Sequence, residues 1–302
     1  MKAILGINTG FALNRFVEHE EWMRIVAEEL KLRHVQLTAD IFSPYLPEDL
    51  IRKQVKKINE LSSSYGIKID STFTSAFTRV NHLAHPYDDM RRYWTNWLKR
   101  FAAMSKDVGA RSMGSHFGIM TVKQISDPVL RKQTEKENIR LWKDLAAHAK
   151  TIGLECLMWE PMSIQREYGE TIAEAERLHN AVNESIDLPM KMCLDVDHGD
   201  VSSANPADTD PYVWLRTFAK DSFCVHLKQS SKNKSGHWPF TKEINKDGKI
   251  LPKNVIEALK DGGASEMLLY LELSFREREP AESRVLIDLK ESADFWRPFC
   301  EG

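Results

Sequence analysis

The sequence predicts a (β/α)8 barrel of the α/β class. Three observations carry that prediction. Eight short apolar runs alternate with eight longer amphipathic segments along 302 residues. The short runs are apolar on both faces, as in strands of a parallel sheet covered on both sides. Eight such units in a chain of this length suit a closed barrel. A doubly wound open sheet is the alternative reading of the same alternation. No Gly-x-Gly-x-x-Gly loop follows the first run, which weakens its nucleotide-binding form.

Taken in order, KAILGIN (2–8) is the first strand. The next segment, 18–30, places Trp22, Ile25, Val26 and Leu30 on one helical face. HVQLT (34–38) is the second strand. A helix spans 47–66, with Pro47 near its start and Gly66 at its end. IKIDSTF (67–73) is the third strand. A long connection over 73–87 carries His82 and His85, and the helix over 87–109 stops at Gly109. Strands at 110–116, 154–160, 188–195, 223–228 and 266–274 follow. Helices at 127–153, 171–185, 211–219, 252–263 and 280–299 come between and after them. A polar insertion at 229–249 separates the seventh strand from its helix. No linker interrupts the series, so residues 1–302 read as one domain.

Composition narrows the function. Lys plus Arg is 42 against Asp plus Glu 44, a net charge of -2. So balanced a chain offers no global field for nucleic acid or an anionic membrane. No apolar run approaches the ~20 residues of a spanning helix, and the N-terminus lacks the pattern of a signal peptide. The four cysteines, Cys156, Cys193, Cys224 and Cys300, show no Cys-x-x-Cys spacing. They read as reduced thiols of a cytoplasmic protein.

A barrel of this kind carries its active site at the C-terminal ends of its strands. There the fifth strand ends in Glu160, the sixth in Asp195, the seventh carries His226 and the eighth Glu272. Each alone reads first as a helix cap, a turn residue or a satisfied core histidine. Together they place four costly polar groups inside or at the end of apolar runs, and a shared cation removes that cost for all four. Three carboxylates and one imidazole suit Mn²⁺ or Mg²⁺, with Co²⁺ and Zn²⁺ as further candidates.

The same residues carry a resemblance. Glu160-Pro161, Asp195-Val196-Asp197-His198, His226 and Glu272, in that order, resemble the xylose-isomerase-like TIM barrel superfamily, and within it the ketose 3-epimerases and sugar-phosphate epimerases. The resemblance covers the whole chain. It implies one divalent cation on Glu160, Asp195, His226 and Glu272, with Glu160 and Glu272 as the acid and base. It implies a ketose or ketose phosphate as substrate, with no nucleic acid or membrane partner, and is compatible with a homo-oligomer. The chemistry is coherent, because a cation on the ketone oxygen stabilises charge as the adjacent C–H proton leaves. Two carboxylates on opposite faces then take one proton and return another. Ketose-aldose isomerases share these ligands and are the alternative. An apurinic-site endonuclease shares the barrel but needs more histidine ligands and a basic face.

Substrate contacts are expected from His198 and His116 and from the lysine-rich loop after the seventh strand. There Lys228, Lys232, Lys234 and His237, with flexible backbone amides, suit a phosphate. The same cluster also reads as a solvated loop. Free-sugar epimerases of this group often carry an arginine near the position of Lys232, so the lysine favours a short phosphorylated ketose. Arg276 and Arg278 follow the eighth strand and are further candidates. The connection over 72–86 reads as a lid, with His82 and His85 as its clasp. Asp197 and Asp200 read as supporting or capping groups.

Overall fold

The computed structural model describes residues 1–74, 78–231 and 234–301. Eight parallel strands close a barrel: β1 (Lys2–Asn8), β2 (His34–Thr38), β3 (Lys68–Phe73), β4 (Ser112–His116), β5 (Cys156–Glu160), β6 (Met190–Asp195), β7 (Ser222–Leu227) and β10 (Glu266–Leu271). Each pairs with its neighbours in the chain, and β10 closes the ring on β1 over Lys2–Ile7. This is the predicted barrel, not the open sheet.

The helices follow the amphipathic segments. α1 (His19–Arg24) runs into a π-helical turn at Ile25–Glu29, so the predicted 18–30 helix is wound more loosely over its second half. α2 (Glu48–Tyr65) ends at Gly66 with φ 65°, a left-handed position that glycine adopts without a Cβ clash. α3 (Asp88–Asp107) precedes β4. A short α4 (Val122–Ser126), closed by a Thr121–Gln124 capping box, was not legible in the sequence. α5 (Pro128–Thr151) starts at Asp127, whose carboxylate accepts from the amides of Val129 and Leu130. α6 (Ile172–Asn183), α7 (Pro211–Phe218), α8 (Pro252–Asp261) and α9 (Ala281–Trp296) complete the shell.

Two apolar clusters result. Trp22, Val26, Leu30, Trp142 and Trp296 belong to the large one between strands and helices. A second, smaller cluster contains Ile4, Phe73, Met158, Cys193, Cys224, Leu268 and Tyr270. Its packing leaves no room opposite Phe73, where a Cβ on Gly114 would stand 2.4 Å from the ring.

Two strand ends differ from the sequence reading. β7 stops at Leu227 and β10 at Leu271, so Lys228 and Glu272 lie just beyond the ladder. Within the polar insertion, β8 (Gln229–Ser231) and β9 (Lys234–Trp238) form an antiparallel hairpin. Its Ser and Gly content had suggested a loop. Among the described residues no helix is long and apolar enough to cross a membrane.

Candidate metal centre and active site

The barrel brings four predicted ligands together. Glu160 and Asp195 are the last residues of β5 and β6, His226 is next to last in β7, and Glu272 follows β10. Parallel register sets Asp195 beside His226, and His116 beside Glu160. One donor atom from each of Glu160, Asp195, His226 and Glu272 lies within 4.8 Å of the others. His226 Nδ1 is 3.3 Å from Glu160 Oε1 and 3.4 Å from Glu272 Oε1.

The orientation of His226 can be traced to a backbone amide. Asn8 Oδ1 accepts from Gly10 N at 2.8 Å, so the Asn8 amide must present Nδ2 on its other side. Nδ2 donates to Gln36 Oε1 at 2.8 Å. That oxygen can only accept, so His226 Nε2, 2.7 Å away, must donate to it. Nδ1 is left facing the carboxylates. Burial lowers the His226 pKa, but Glu272 and the hydrogen-bonded Glu160 override it and raise it to about 10. The cation-free ring therefore carries a second proton, on Nδ1, and that is the proton a bound cation would displace.

The carboxylates answer that charge. Burial raises Glu160, yet the His226 hydrogen bond and the His198 and His226 charges bring it down to about 2. Burial likewise raises Glu272, and His226, His237 and Lys228 hold it well below the usual range. Asp195 Oδ2 and Glu272 Oε2 are buried acceptors without a well-aligned hydrogen bond. Lys228 Nζ is only 2.5 Å from the first and 3.7 Å from the second. The ammonium thus pairs with Asp195 Oδ2 and lies near Glu272 Oε2. Two carboxylates with such oxygens, the Glu160 carboxylate beside them and one imidazole nitrogen fit a hard divalent cation.

The other predicted residues divide into two groups. His198 donates Nδ1–H to the Pro161 carbonyl at 2.9 Å and stands 3.6 Å from Glu160 Oε1 and 3.8 Å from Asp195 Oδ2. His116 is buried, its pKa lowered by desolvation despite Glu160, with Nε2 4.0 Å from Glu160 Oε2. His237, on the hairpin, has Nδ1 3.3 Å from Glu272 Oε2 and Nε2 3.1 Å from Lys228 Nζ. These three line, with Glu160 and Glu272, a cavity of 380 Å³. Lys234 and Arg276 are exposed and outside that lining, and Lys232 lies outside the described residues. Lys228 turns inward to the carboxylates and leaves the loop surface. His82 is buried against Trp94, with ring centroids 4.6 Å apart. His85 Nδ1 accepts from Tyr87 N at the start of α3.

Several residues at or beside the candidate site were missed by the sequence reading. Asn8 and Gln36 are uncharged amides at strand positions and give no signal of anomaly. Arg15 and Arg79 line the cavity, paired with Glu282 and Glu167 respectively. Asp197, read only as a supporting group, fastens the hairpin. It accepts from Ser230 Oγ at 2.8 Å, Gly236 N at 3.2 Å and Ser235 Oγ, and pairs with Lys249 Nζ at 2.6 Å. Asp200 caps a turn through Ser202.

The profile of the xylose isomerase-like TIM barrel family matches residues 25–297. A D-erythrulose 1-phosphate 3-epimerase of Brucella abortus (strain 2308) is 42% identical over 299 residues, covering 99% of this chain and 96% of that protein. A solved barrel from Rhodospirillum rubrum ATCC 11170, assigned provisionally as a xylose isomerase, superposes with a TM-score of 0.87 at 22% identity. The match covers 99% of this chain and all of that one. D-psicose 3-epimerase from Clostridium cellulolyticum H10, solved with D-tagatose, gives a TM-score of 0.72 at 16% identity over 100% of both chains.

Proposed function

Because the chain belongs to the xylose isomerase-like TIM barrel family, we propose that it epimerises a short phosphorylated ketose at the carbon beside the ketone, with one divalent cation. The observation that carries this reading is the convergence of Glu160, Asp195, His226 and Glu272 within 4.8 Å under the cavity. The Brucella relative supports the substrate class, a tetrulose 1-phosphate. Mn²⁺ is the preferred cation for three hard oxygens and one nitrogen.

Glu160, Asp195, His226 and Glu272 would hold the cation, which would supply polarisation of the ketone oxygen. The chain supplies the proton transfers. Glu160 stands on β5 and Glu272 after β10, three places apart in the barrel ring. Their carboxylates therefore approach a bound sugar from different sides. One takes the proton from the carbon beside the ketone, and the other returns a proton to the opposite face. In the cation-free chain, despite burial, the neighbouring His226 and other positive groups hold both carboxyls below their ordinary range. His198, fixed by the Pro161 carbonyl, presents Nε2 to orient a substrate oxygen. Phe73, Leu13, Met162 and Leu273 line the cavity and limit water around the reacting carbon. The reduced cysteines suit a cytoplasmic setting.

The test is turnover of a panel of ketoses and ketose phosphates with Mn²⁺ in D₂O, followed by NMR. Deuterium at the carbon beside the ketone, with an inverted ketose product, is the expected result. An aldose product labelled at C1 or C2 would identify an isomerase instead. Product without any carbon-bound deuterium would overturn the two-carboxylate mechanism.

A further inference from the structure

We propose that Lys228 is the resident counter-charge of the carboxylate cluster, placed so that one divalent cation leaves the centre neutral and open to a doubly negative sugar phosphate. For its substrate class this rests on the epimerase reading above; its charge balance does not.

Lys228 is 1% exposed, one of the largest fully buried side chains among the described residues. Lysine is rarely buried without a partner. Its Nζ is 2.5 Å from Asp195 Oδ2, 3.7 Å from Glu272 Oε2 and 3.1 Å from His237 Nε2. The groups facing it are thus two of the four candidate ligands and a histidine held on one of them. The lysine-rich loop had suggested a direct grip on phosphate. The structure turns this lysine away from the loop surface and into the cluster.

The charges balance in a specific way. Glu160, Asp195 and Glu272 bring three negative charges, and Lys228 brings one positive charge. Two negative charges remain on the ligands and Lys228, and a divalent cation beside a neutral His226 cancels them; His237, paired with Glu272, stands outside this count. Without the ammonium the loaded centre would keep a net negative charge directly under the cavity. That charge repels a phosphate dianion and hardly affects an uncharged ketose. Arg15 and Arg79 do not substitute for it, since Glu282 and Glu167 already answer them. The same ammonium opposes the cation, because it sits against an oxygen the cation needs. Lys228 therefore weakens cation binding and favours phosphorylated substrate, two effects that an ordinary packing role would not produce together.

Lys228→Met removes the charge and keeps the apolar stem. Calorimetric titration of this full-length variant with Mn²⁺ should give a Kd at least about tenfold lower than the unaltered chain, since like charges a few ångströms apart repel strongly in a buried site. Its KM for D-erythrulose 1-phosphate should rise at least about tenfold, while KM for free erythrulose changes by less than about threefold. Lys228→Arg keeps the charge and should retain both the Mn²⁺ affinity and the preference for phosphate. A Met variant that binds Mn²⁺ no more tightly, or that loses both ketoses equally, overturns the proposal. Should that variant fail to fold, Lys228→Gln carries the same expectations. An unaltered chain that epimerises neither ketose sinks the epimerase reading, and the Mn²⁺ titration still decides the charge balance.

Discussion

The interior of the barrel has two unlike arcs. On one, β5, β6, β7 and the end of β10 carry Glu160, Asp195, His226 and Glu272, all titratable. On the other, β1, β2 and β3 offer Asn8, Gln36 and Ser71, all uncharged, joined by hydrogen bonds of 2.8 and 3.4 Å. The first arc supplies the candidate ligands. The second sets which way one of them, His226, faces. The difference teaches that groups that cannot ionise fix the geometry of those that can.

The comparison breaks most visibly on the titratable arc. Glu160→Gln or Glu272→Gln keeps an oxygen near the cation but removes a base. Epimerisation should fall by at least ~10²-fold, while Mn²⁺ binding weakens only in part. Steady-state rates and calorimetry check the two halves. A variant keeping one glutamate should still exchange the proton of the epimer that glutamate serves, without inverting it, as NMR in D₂O would reveal.

On the uncharged arc the expected loss is smaller and of a different kind. Gln36→Leu removes the acceptor for His226 Nε2, so the ring is free to turn or to change tautomer. Mn²⁺ affinity should fall about 10–100-fold, the scale for losing a group that orients a ligand histidine. An unchanged Kd would show that the carboxylates alone fix the ring.

The two arcs also part in their response to pH. His226 is raised to about 10 in the cation-free protein. Cation uptake below that pH must release the Nδ1 proton, so Mn²⁺ affinity should rise by about tenfold per pH unit across the neutral range. Calorimetry in buffers of different ionisation enthalpy counts the protons released. The stability linkage has its own sign. A raised folded-state pKa contributes stability to the cation-free chain that is fully present below the unfolded value of about 6.5 and is lost as pH approaches 10. Gln36 has no ionisable group, so replacing it alters the height of these curves and leaves their slope.

Away from both arcs the effects shrink further. Gly114→Ala drives a methyl group to 2.4 Å from Phe73 and should cost about 1–3 kcal/mol by overpacking. Denaturant unfolding measures it. Lys234→Ala, at an exposed hairpin position, should change KM for a ketose phosphate by less than about twofold, since surface substitutions seldom matter. A large rise would return that lysine to the substrate.

These expectations mirror what the sequence could and could not say. Glu160 and Asp195 were legible because a carboxylate ending an apolar run is expensive unless something shares it. The barrel was legible from the alternation of runs and helices, and Gly66 and Gly109 marked helix ends correctly. Asn8 and Gln36 were not legible, because an amide in a strand breaks no rule until its neighbours across the sheet are known. Lys228 read as the start of a lysine-rich loop, and its contact with Asp195 could not be seen until β6 and β7 were brought side by side. The hairpin escaped notice because Ser230, Ser231 and Gly236 lack strand-like patterning. Its anchor is Asp197, a residue distant in sequence.

The contact between Gly10 and Asn8 has a consequence for how such a centre can evolve. A peptide N–H has one polarity at every pH and under nearly every substitution. Each amide after it passes that polarity on in one direction, as a rectifier passes current, until it reaches the imidazole. Reversing the output would require an acceptor where the backbone has only a donor. Substitutions in the hairpin and rim loops that leave Gly10, Asn8 and Gln36 in place should therefore leave the orientation of His226 unchanged. The direction is set by the main chain at Gly10, and the Asn8 and Gln36 side chains carry it to the ring.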